Sequence, residues 1–349
     1  MKIGIYTDVH CSYTSSILPL HCEGTKYTTR LQMILDTFRW FYNLFEKEKV
    51  DIIVNCGDLF DSHNLRSEEI SAMSEALKFS TGVPEYHILG NHETLDKNRN
   101  FYATAMLDNY PYITVVDTPL KLDNGVSFLP YMETESVNDV LPYISNKILF
   151  SHIDIQGSRL NSFHVMDNGA NILKLKDLFS MVINGHIHTY QNLGHNIYNI
   201  GATTSYSFAD DMDTLPGVAI LDTDTMKIDK YPNPHAIRFI KLTANEDLKQ
   251  FKMILSNYSN SNIALRVDCD FNNKDKVANI LEEFNNIVVS RIQCKSLTTQ
   301  CANIDSKLDV DMSNSIDVKN KFVSFLKTEA ELKYPLENYM NVIKDLEAV

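Results

Sequence analysis

Ile52-Ile53-Val54-Asn55-Cys56-Gly57-Asp58-Leu59-Phe60-Asp61 reads as a buried strand that stops abruptly at two acids. The apolar or small residues from Ile52 to Asn55 form the strand, Gly57 breaks it, and Asp58 and Asp61 follow. A carboxylate just beyond the end of a buried parallel strand sits where open α/β sheets hold their ligands. Gly-Asp after a strand is also ordinary turn chemistry, so the reading gains its force from repetition. Ile3-Gly4-Ile5-Tyr6 leads to Asp8 and His10, and His87-Ile88-Leu89 leads to Gly90-Asn91-His92-Glu93. Ile148-Leu149-Phe150 leads to Ser151-His152, and Met181-Val182-Ile183 leads to Gly185-His186-Ile187-His188. Five apolar strands each end in Asp, Asn or His, the donor set of a two-metal site.

Each donor type has its own use there. The two oxygens of Asp58 can hold two cations side by side. Asp8 and His10, separated by one residue past a strand end, can converge on one ion. Asn91 offers a neutral carbonyl oxygen, and His152, His186 and His188 offer imidazole nitrogen. Such a mixed shell suits Mn, Fe, Zn or Ni and is wrong for Ca, which takes all-oxygen cages. No thiolate is needed, and Cys56 reads as packed inside its strand. Two cations can hold a phosphate and lower the pKa of a water that attacks phosphorus in line. His92, beside Asn91, points to the same cleft and is the catalytic candidate for protonating the leaving oxygen. Asp61 is the candidate for orienting that imidazole. His63, His87, His164, His195 and His235 read as structural or surface residues.

The chain has 349 residues, 44% of them hydrophobic, enough for one large domain and something smaller. No apolar run approaches a membrane span, and the start Met1-Lys2-Ile3-Gly4 reads as a strand, so no signal peptide is expected. The cysteines at 11, 22, 56, 269, 294 and 301 form no Cys-x-x-Cys pair. Neither a zinc knuckle nor a disulfide framework is indicated, and a reducing cytoplasm is expected. The net charge of -13 argues against tight nonspecific nucleic-acid binding by the isolated chain. It does not exclude a nucleic-acid enzyme, because bound cations reverse the local field and a partner can supply basic surface.

Taken in order, the Ser-, Thr- and Cys-rich loop over 11–25 borders the site, and His21 within it reads as an exposed loop histidine. From Thr28 to Lys49, Leu31, Ile34, Leu35, Phe38, Phe41, Tyr42 and Phe45 recur at helical spacing, with Trp40 at the rim. Ser67-Glu68-Glu69-Ile70 opens a second helix that runs to Phe79 and is stopped by Gly82-Val83-Pro84. A strand over 85–89 and a helix over 101–109 come next. Strands near 113–116, 126–129, 147–150, 180–183, 197–200 and 218–221 follow, with one helix near 171–179. This pattern predicts a sheet or sandwich with helices outside. Pro232-Asn233-Pro234 marks a boundary. Beyond it, strands over 237–242, 263–269 and 287–293 alternate with helices over 245–256 and 274–285, a small β-α-β-α-β unit. Residues 296–315 are polar and read as a linker. Residues 316–349 are predicted helical, with an apolar stripe of Val318, Phe322, Phe325, Leu326, Tyr339, Ile343 and Leu346 that reads as a partner-docking face.

The five motifs resemble the calcineurin-like metallophosphoesterase superfamily over about residues 1–230. Gly57-Asp58-Leu59-Phe60-Asp61-Ser62 is similar to the SbcD-type double-strand-break repair nucleases, as is Asn199-Ile200-Gly201-Ala202-Thr203-Thr204 running to Phe208-Ala209-Asp210. The length also resembles phage recombination-nuclease subunits of that branch. The resemblance implies a four-layer α/β/β/α sandwich (1–235), a small α+β capping, DNA-binding domain (236–295), the linker (296–315) and C-terminal partner-binding helices (316–349). It further implies that Asp8, His10, Asp58 and His188 hold one metal, that Asp58, Asn91, His152 and His186 hold the other, and that His92 is the catalytic histidine. The implied activity is Mn-dependent DNA cleavage, as an exonuclease on duplex ends and an endonuclease on single strands. The implied assembly is a homodimer bound to an SMC-like coiled-coil ATPase, in the cytoplasm of a bacterium or a phage-infected host. One departure is visible: the third motif usually ends in Asp, and here it ends in Glu93.

Two other functions compete. A phosphodiesterase or phosphatase acting on a small or non-DNA substrate is favoured by the acidic charge. A noncatalytic scaffold for the ATPase is disfavoured by the intact ligand set.

Overall fold

The structure is a computed structural model that describes residues 1–15, 18, 24–94, 101–161, 164–208, 215–244 and 247–294. His21, the linker at 296–315 and the helices expected over 316–349 lie outside the described residues. Contacts divide the chain into Met1–Gln293 and Cys294–Val349, and of the second unit only Cys294 is described.

Two six-stranded sheets make the body of the first unit. One runs, in spatial order, Lys227–Pro232, Gly217–Asp222, Lys2–Tyr6, Ile52–Asn55, Glu85–Ile88 and Ile113–Val116. The other runs Gln191–Asn192, Ile197–Asn199, Met181–Asn184, Ile148–Ser151, Val126–Leu129 and Leu120–Lys121. Successive side chains point to opposite faces of a strand, and here both faces are covered. Ile3, Ile5, Ile52 and Val54 meet Phe128, Phe150, Met181 and Ile183 between the sheets. Tyr6 and Ile53 turn the other way, into a core with Leu31, Phe38, Phe41 and Phe45 of helix Thr29–Glu48 and Met73 of helix Ser67–Ala76. Across the second sheet, Leu149 and Val182 meet Val137, Leu141 and Leu175. The architecture is therefore the expected α/β/β/α sandwich. Double coverage explains why its strands are continuous apolar runs rather than alternating ones.

A third, three-stranded sheet comprises Arg238–Ala244, Ile263–Cys269 and Ile287–Cys294, with helices Leu248–Ser256 and Lys274–Leu281 between its strands. Ile237, Phe239 and Ala264 bury into the same core as helix Thr29–Glu48. The segment expected as a helix over 101–109 is a 3-10 helix, Ala103–Asn109. Helix Thr134–Val140 was not foreseen, because seven residues are too few to show a period. The edge strand Lys227–Pro232 was also missed, because its exposed Lys-Ile-Asp-Lys-Tyr-Pro pattern reads as a turn. Among the described residues, no helix is long and apolar enough to cross a membrane, and Cys11, Cys56 and Cys294 are free thiols.

Candidate metal centre

Strands Lys2–Tyr6, Ile52–Asn55 and Glu85–Ile88 run parallel in one sheet, and Ile148–Ser151 and Met181–Asn184 run parallel in the other. Their C-terminal ends carry all nine residues singled out from the sequence, and the structure brings all nine together. The loops are stitched to one another through the backbone. Asp8 N–H donates to Gly57 O at 2.9 Å, His10 N–H to Asp58 O at 3.0 Å, and Cys11 N–H to Leu59 O at 2.8 Å. The fit is tight enough to exclude a Cβ at position 90, which would lie 2.0 Å from Asp58 Oδ1. Gly57, at φ +102°, takes a conformation that disfavours side chains.

Asp8, His10, Asp58 and His186 sit at φ 50°, 47°, 52° and 69°, the left-handed region that non-glycine residues rarely enter. Such backbone persists only where its surroundings over-determine it. For the first loop the restraint is Arg30, a buried guanidinium on helix Thr29–Glu48. It donates to Val9 O at 2.7 Å, His10 O at 3.1 Å, Ser205 O at 2.9 Å and Thr204 Oγ1 at 3.1 Å.

The donor atoms form two groups that share Asp58. In the first, His10 Nε2 lies 3.0 Å from His188 Nε2 and 3.8 Å from Asp58 Oδ2. Asp8 Oδ1 faces both imidazoles, at 3.9 Å from His10 and 3.8 Å from His188. In the second, His152 Nε2 lies 3.3 Å from Asp58 Oδ2 and 3.1 Å from Asn91 Oδ1. His186 Nδ1 completes it, 3.1 Å from Asn91 Oδ1 and 3.3 Å from His152 Nε2. Donors bound to one ion at about 2.1 Å, at right or tetrahedral angles, lie about 3.0–3.4 Å apart, so the second group has the spacing of a coordination shell. Asp8 gives an independent sign. Its Oδ2 accepts from Thr7 Oγ1 at 2.5 Å and from His186 N–H at 3.1 Å, whereas its buried Oδ1 meets no hydrogen-bond donor among the described residues. A buried carboxylate oxygen left so is costly unless a cation answers it. The residues fit a pair of divalent ions.

The outward nitrogens are also held. His10 Nδ1 is 3.3 Å from Asp61 Oδ1, His152 Nδ1 donates to Cys56 O at 2.7 Å, and His186 Nε2 is 2.9 Å from Asp154 Oδ1. Acceptors of this kind fix the tautomer and turn the other nitrogen inward. Burial disfavours ionisation of Asp58, but His152, His10 and His92 outweigh it and hold the carboxyl well below its usual range. Burial likewise opposes the charging of His152, and Asp58 and Asp8 overcome it, lifting that imidazole to about 9. For His10, burial prevails and lowers the pKa.

His92 is 42% exposed, and its Nδ1 donates to the main-chain oxygen of Asp61 at 2.9 Å. The Asp61 carboxylate itself faces His10 and accepts from Tyr206 Oη at 2.8 Å. Asp61 thus meets His92 with its carbonyl and, at 3.9 Å, with its carboxylate, which lies closer to His10. Glu93, fully buried, accepts from Leu59 N–H, Phe60 N–H and Gly90 N–H at 2.8, 3.2 and 3.0 Å and so ties two ligand loops together. Burial and the neighbouring Asp58 push its pKa up to about 7. Arg30, Asp154 and Tyr206 were not singled out from the sequence. Only Asp154 had a local signal, lying two residues beyond His152.

Residues 1–190 match the calcineurin-like phosphoesterase family. The chain is 31% identical over 177 residues to the DNA double-strand break repair protein Mre11 of Sulfurisphaera tokodaii, covering 46% of this chain and 44% of that one. It is 27% identical over 177 residues to the protein of the same name from Sulfolobus acidocaldarius, covering 46% and 45%. It is 24% identical over 230 residues to the SbcD component of nuclease SbcCD from Staphylococcus epidermidis, covering 54% and 59%. The chain spans about half the length of these curated relatives. With the family's match extending over more than half of its residues and both donor groups in place, this chain belongs to the calcineurin-like phosphoesterase family.

Proposed function

We propose that the chain is a Mn-dependent DNA nuclease, cutting duplex ends as an exonuclease and single strands as an endonuclease. It would serve as the nuclease component of a recombination or repair complex with an SMC-like coiled-coil ATPase. The observation that carries the reading is the pair of donor groups sharing Asp58 with His92 at their edge. The names of the similar DNA double-strand break repair proteins support DNA as substrate, and that of the SbcCD relative supports nuclease activity.

Divalent ions held by these residues supply phosphate neutralisation and activation of the attacking water. The chain's own groups do the rest. Asp58 Oδ1 accepts the His92 N–H at 3.1 Å, which fixes the histidine's backbone against the carboxylate that both donor groups share. Because the Asp61 carbonyl can only accept, His92 Nδ1 carries a proton, and Nε2 is the atom that exchanges protons with the leaving oxygen. The mixed oxygen and imidazole shell suits Mn.

The test is cleavage of a labelled linear duplex and a single-stranded circle with Mn, comparing the wild type with His92→Ala and Asp58→Ala. Cutting that disappears in both variants is expected. The net charge of -13 favours a second reading, a phosphodiesterase for a small or non-DNA substrate. Intact DNA alongside hydrolysis of bis(p-nitrophenyl) phosphate would select it.

A further inference from the structure

We infer that Asp154 is a positioning residue that determines how tightly the Asn91–His152–His186 group holds its divalent ion. The inference rests on the metal-centre reading above and adds a residue to it.

The placement of Asp154 is built rather than incidental. Ile153 and Ile155 on either side are fully buried. Asn184 clamps the backbone of Ile153 through both ends of its amide, accepting from its N–H at 3.0 Å and donating to its carbonyl at 2.9 Å. The Asp154 carbonyl accepts from Ala170 N–H at 2.8 Å, and a Cβ on Gly169 would crowd that carbonyl at 2.8 Å. The side chain is thereby set against His186 Nε2 at 2.9 Å.

The consequence is a choice of tautomer. A carboxylate only accepts, so His186 carries its proton on Nε2 and turns an unprotonated Nδ1 toward Asn91 Oδ1 at 3.1 Å. Two electron-pair donors at that distance repel unless they share a cation. Without Asp154 the imidazole can shift its proton to Nδ1 and hydrogen-bond Asn91 Oδ1 directly. The group would then satisfy itself, and an incoming ion would have to break that bond. Asp154 removes this alternative and makes Nδ1 a stronger donor.

The experiment is a titration of the full chain with Mn(II), following free Mn(II) by electron paramagnetic resonance with no substrate present. Asp154→Asn, Asp154→Ala and, as a control, the exposed Asp167→Asn are compared with the wild type. In both Asp154 variants one Mn equivalent, the one assigned to the Asn91–His152–His186 group, is expected to lose about 10–100-fold in affinity, with the other unchanged. The Mn concentration giving half-maximal hydrolysis of bis(p-nitrophenyl) phosphate should rise by the same factor, and excess Mn should restore the rate. The inference is overturned if both equivalents bind as in the wild type, if both weaken together, or if excess Mn fails to restore the rate. Wild-type protein that binds two Mn yet hydrolyses neither the ester nor DNA would instead sink the nuclease reading, leaving the titration result intact.

Discussion

Alanine at position 92 removes an imidazole that is anchored on the Asp61 carbonyl, and it leaves every ion-facing atom in place. Loss of proton transfer of this kind typically costs about 10²–10⁴-fold in rate. His92→Ala should therefore show that fall in kcat with its Mn stoichiometry intact, as measured by metal analysis beside single-turnover kinetics. Glu93→Ala should fail differently. It strands the buried N–H groups of Leu59, Phe60 and Gly90, each at about 1–3 kcal/mol. The expected loss is roughly 3–9 kcal/mol of stability by urea titration. The contrast shows what sequence reading reaches. Asp8, His10, Asp58, Asn91, His152, His186 and His188 each announce themselves by following an apolar run. Arg30 and Tyr206 act on partners far along the chain, Ser205 and Asp61, and no local pattern marks them. The same limit applies to Asp61, expected from the sequence to orient His92: its main-chain oxygen takes the Nδ1 hydrogen bond, and its carboxylate, 3.9 Å from that nitrogen, lies 3.3 Å from His10.

Between elements, a lysine ties the two sheets together at one edge. Lys230, on edge strand Lys227–Pro232, donates to Ile200 O at 3.1 Å and stands over the Tyr190 ring at 4.2 Å. Burial disfavours its charge and lowers its pKa from 10.5 to about 8. In the unfolded chain the lysine holds its proton up to about 10.4. Between these values the unfolded state binds more protons, so stability rises as pH increases from about 8 to 10.5 and is lost as pH falls back through 8. Urea melts of the ion-free protein across this window should show the rise, and Lys230→Met should flatten it. The long helices and both sheets were legible because each repeats an apolar period many times. The strand carrying Lys230 alternates charge with half-buried residues on an edge, where burial imposes no such pattern.

At the scale of the whole molecule, the charge of -13 sets an expectation for binding. The chain alone should hold DNA weakly and with a shallow salt slope, since few phosphates can be neutralised. Fluorescence anisotropy from about 50 to 200 mM salt, with and without the proposed ATPase partner, would read both quantities. A nanomolar affinity for the isolated chain would contradict it. Ion removal should also lower the melting temperature, because a ligand at 100 times its Kd adds about 2.7 kcal/mol. The architecture has a further consequence during synthesis. Strand Lys2–Tyr6 is interior to its sheet, yet one neighbour, Gly217–Asp222, pairs Leu221 with Ile3. At about 5–20 residues per second on the ribosome, the first strand translated waits roughly ten to forty seconds for that neighbour. Until then one of its edges stays unpaired, open to pairing with another nascent chain. Asp8 likewise waits for the backbone of His186. The ion can thus be loaded only after most of the sandwich has been translated, and ribosome-bound chains truncated before residue 186 should retain no Mn.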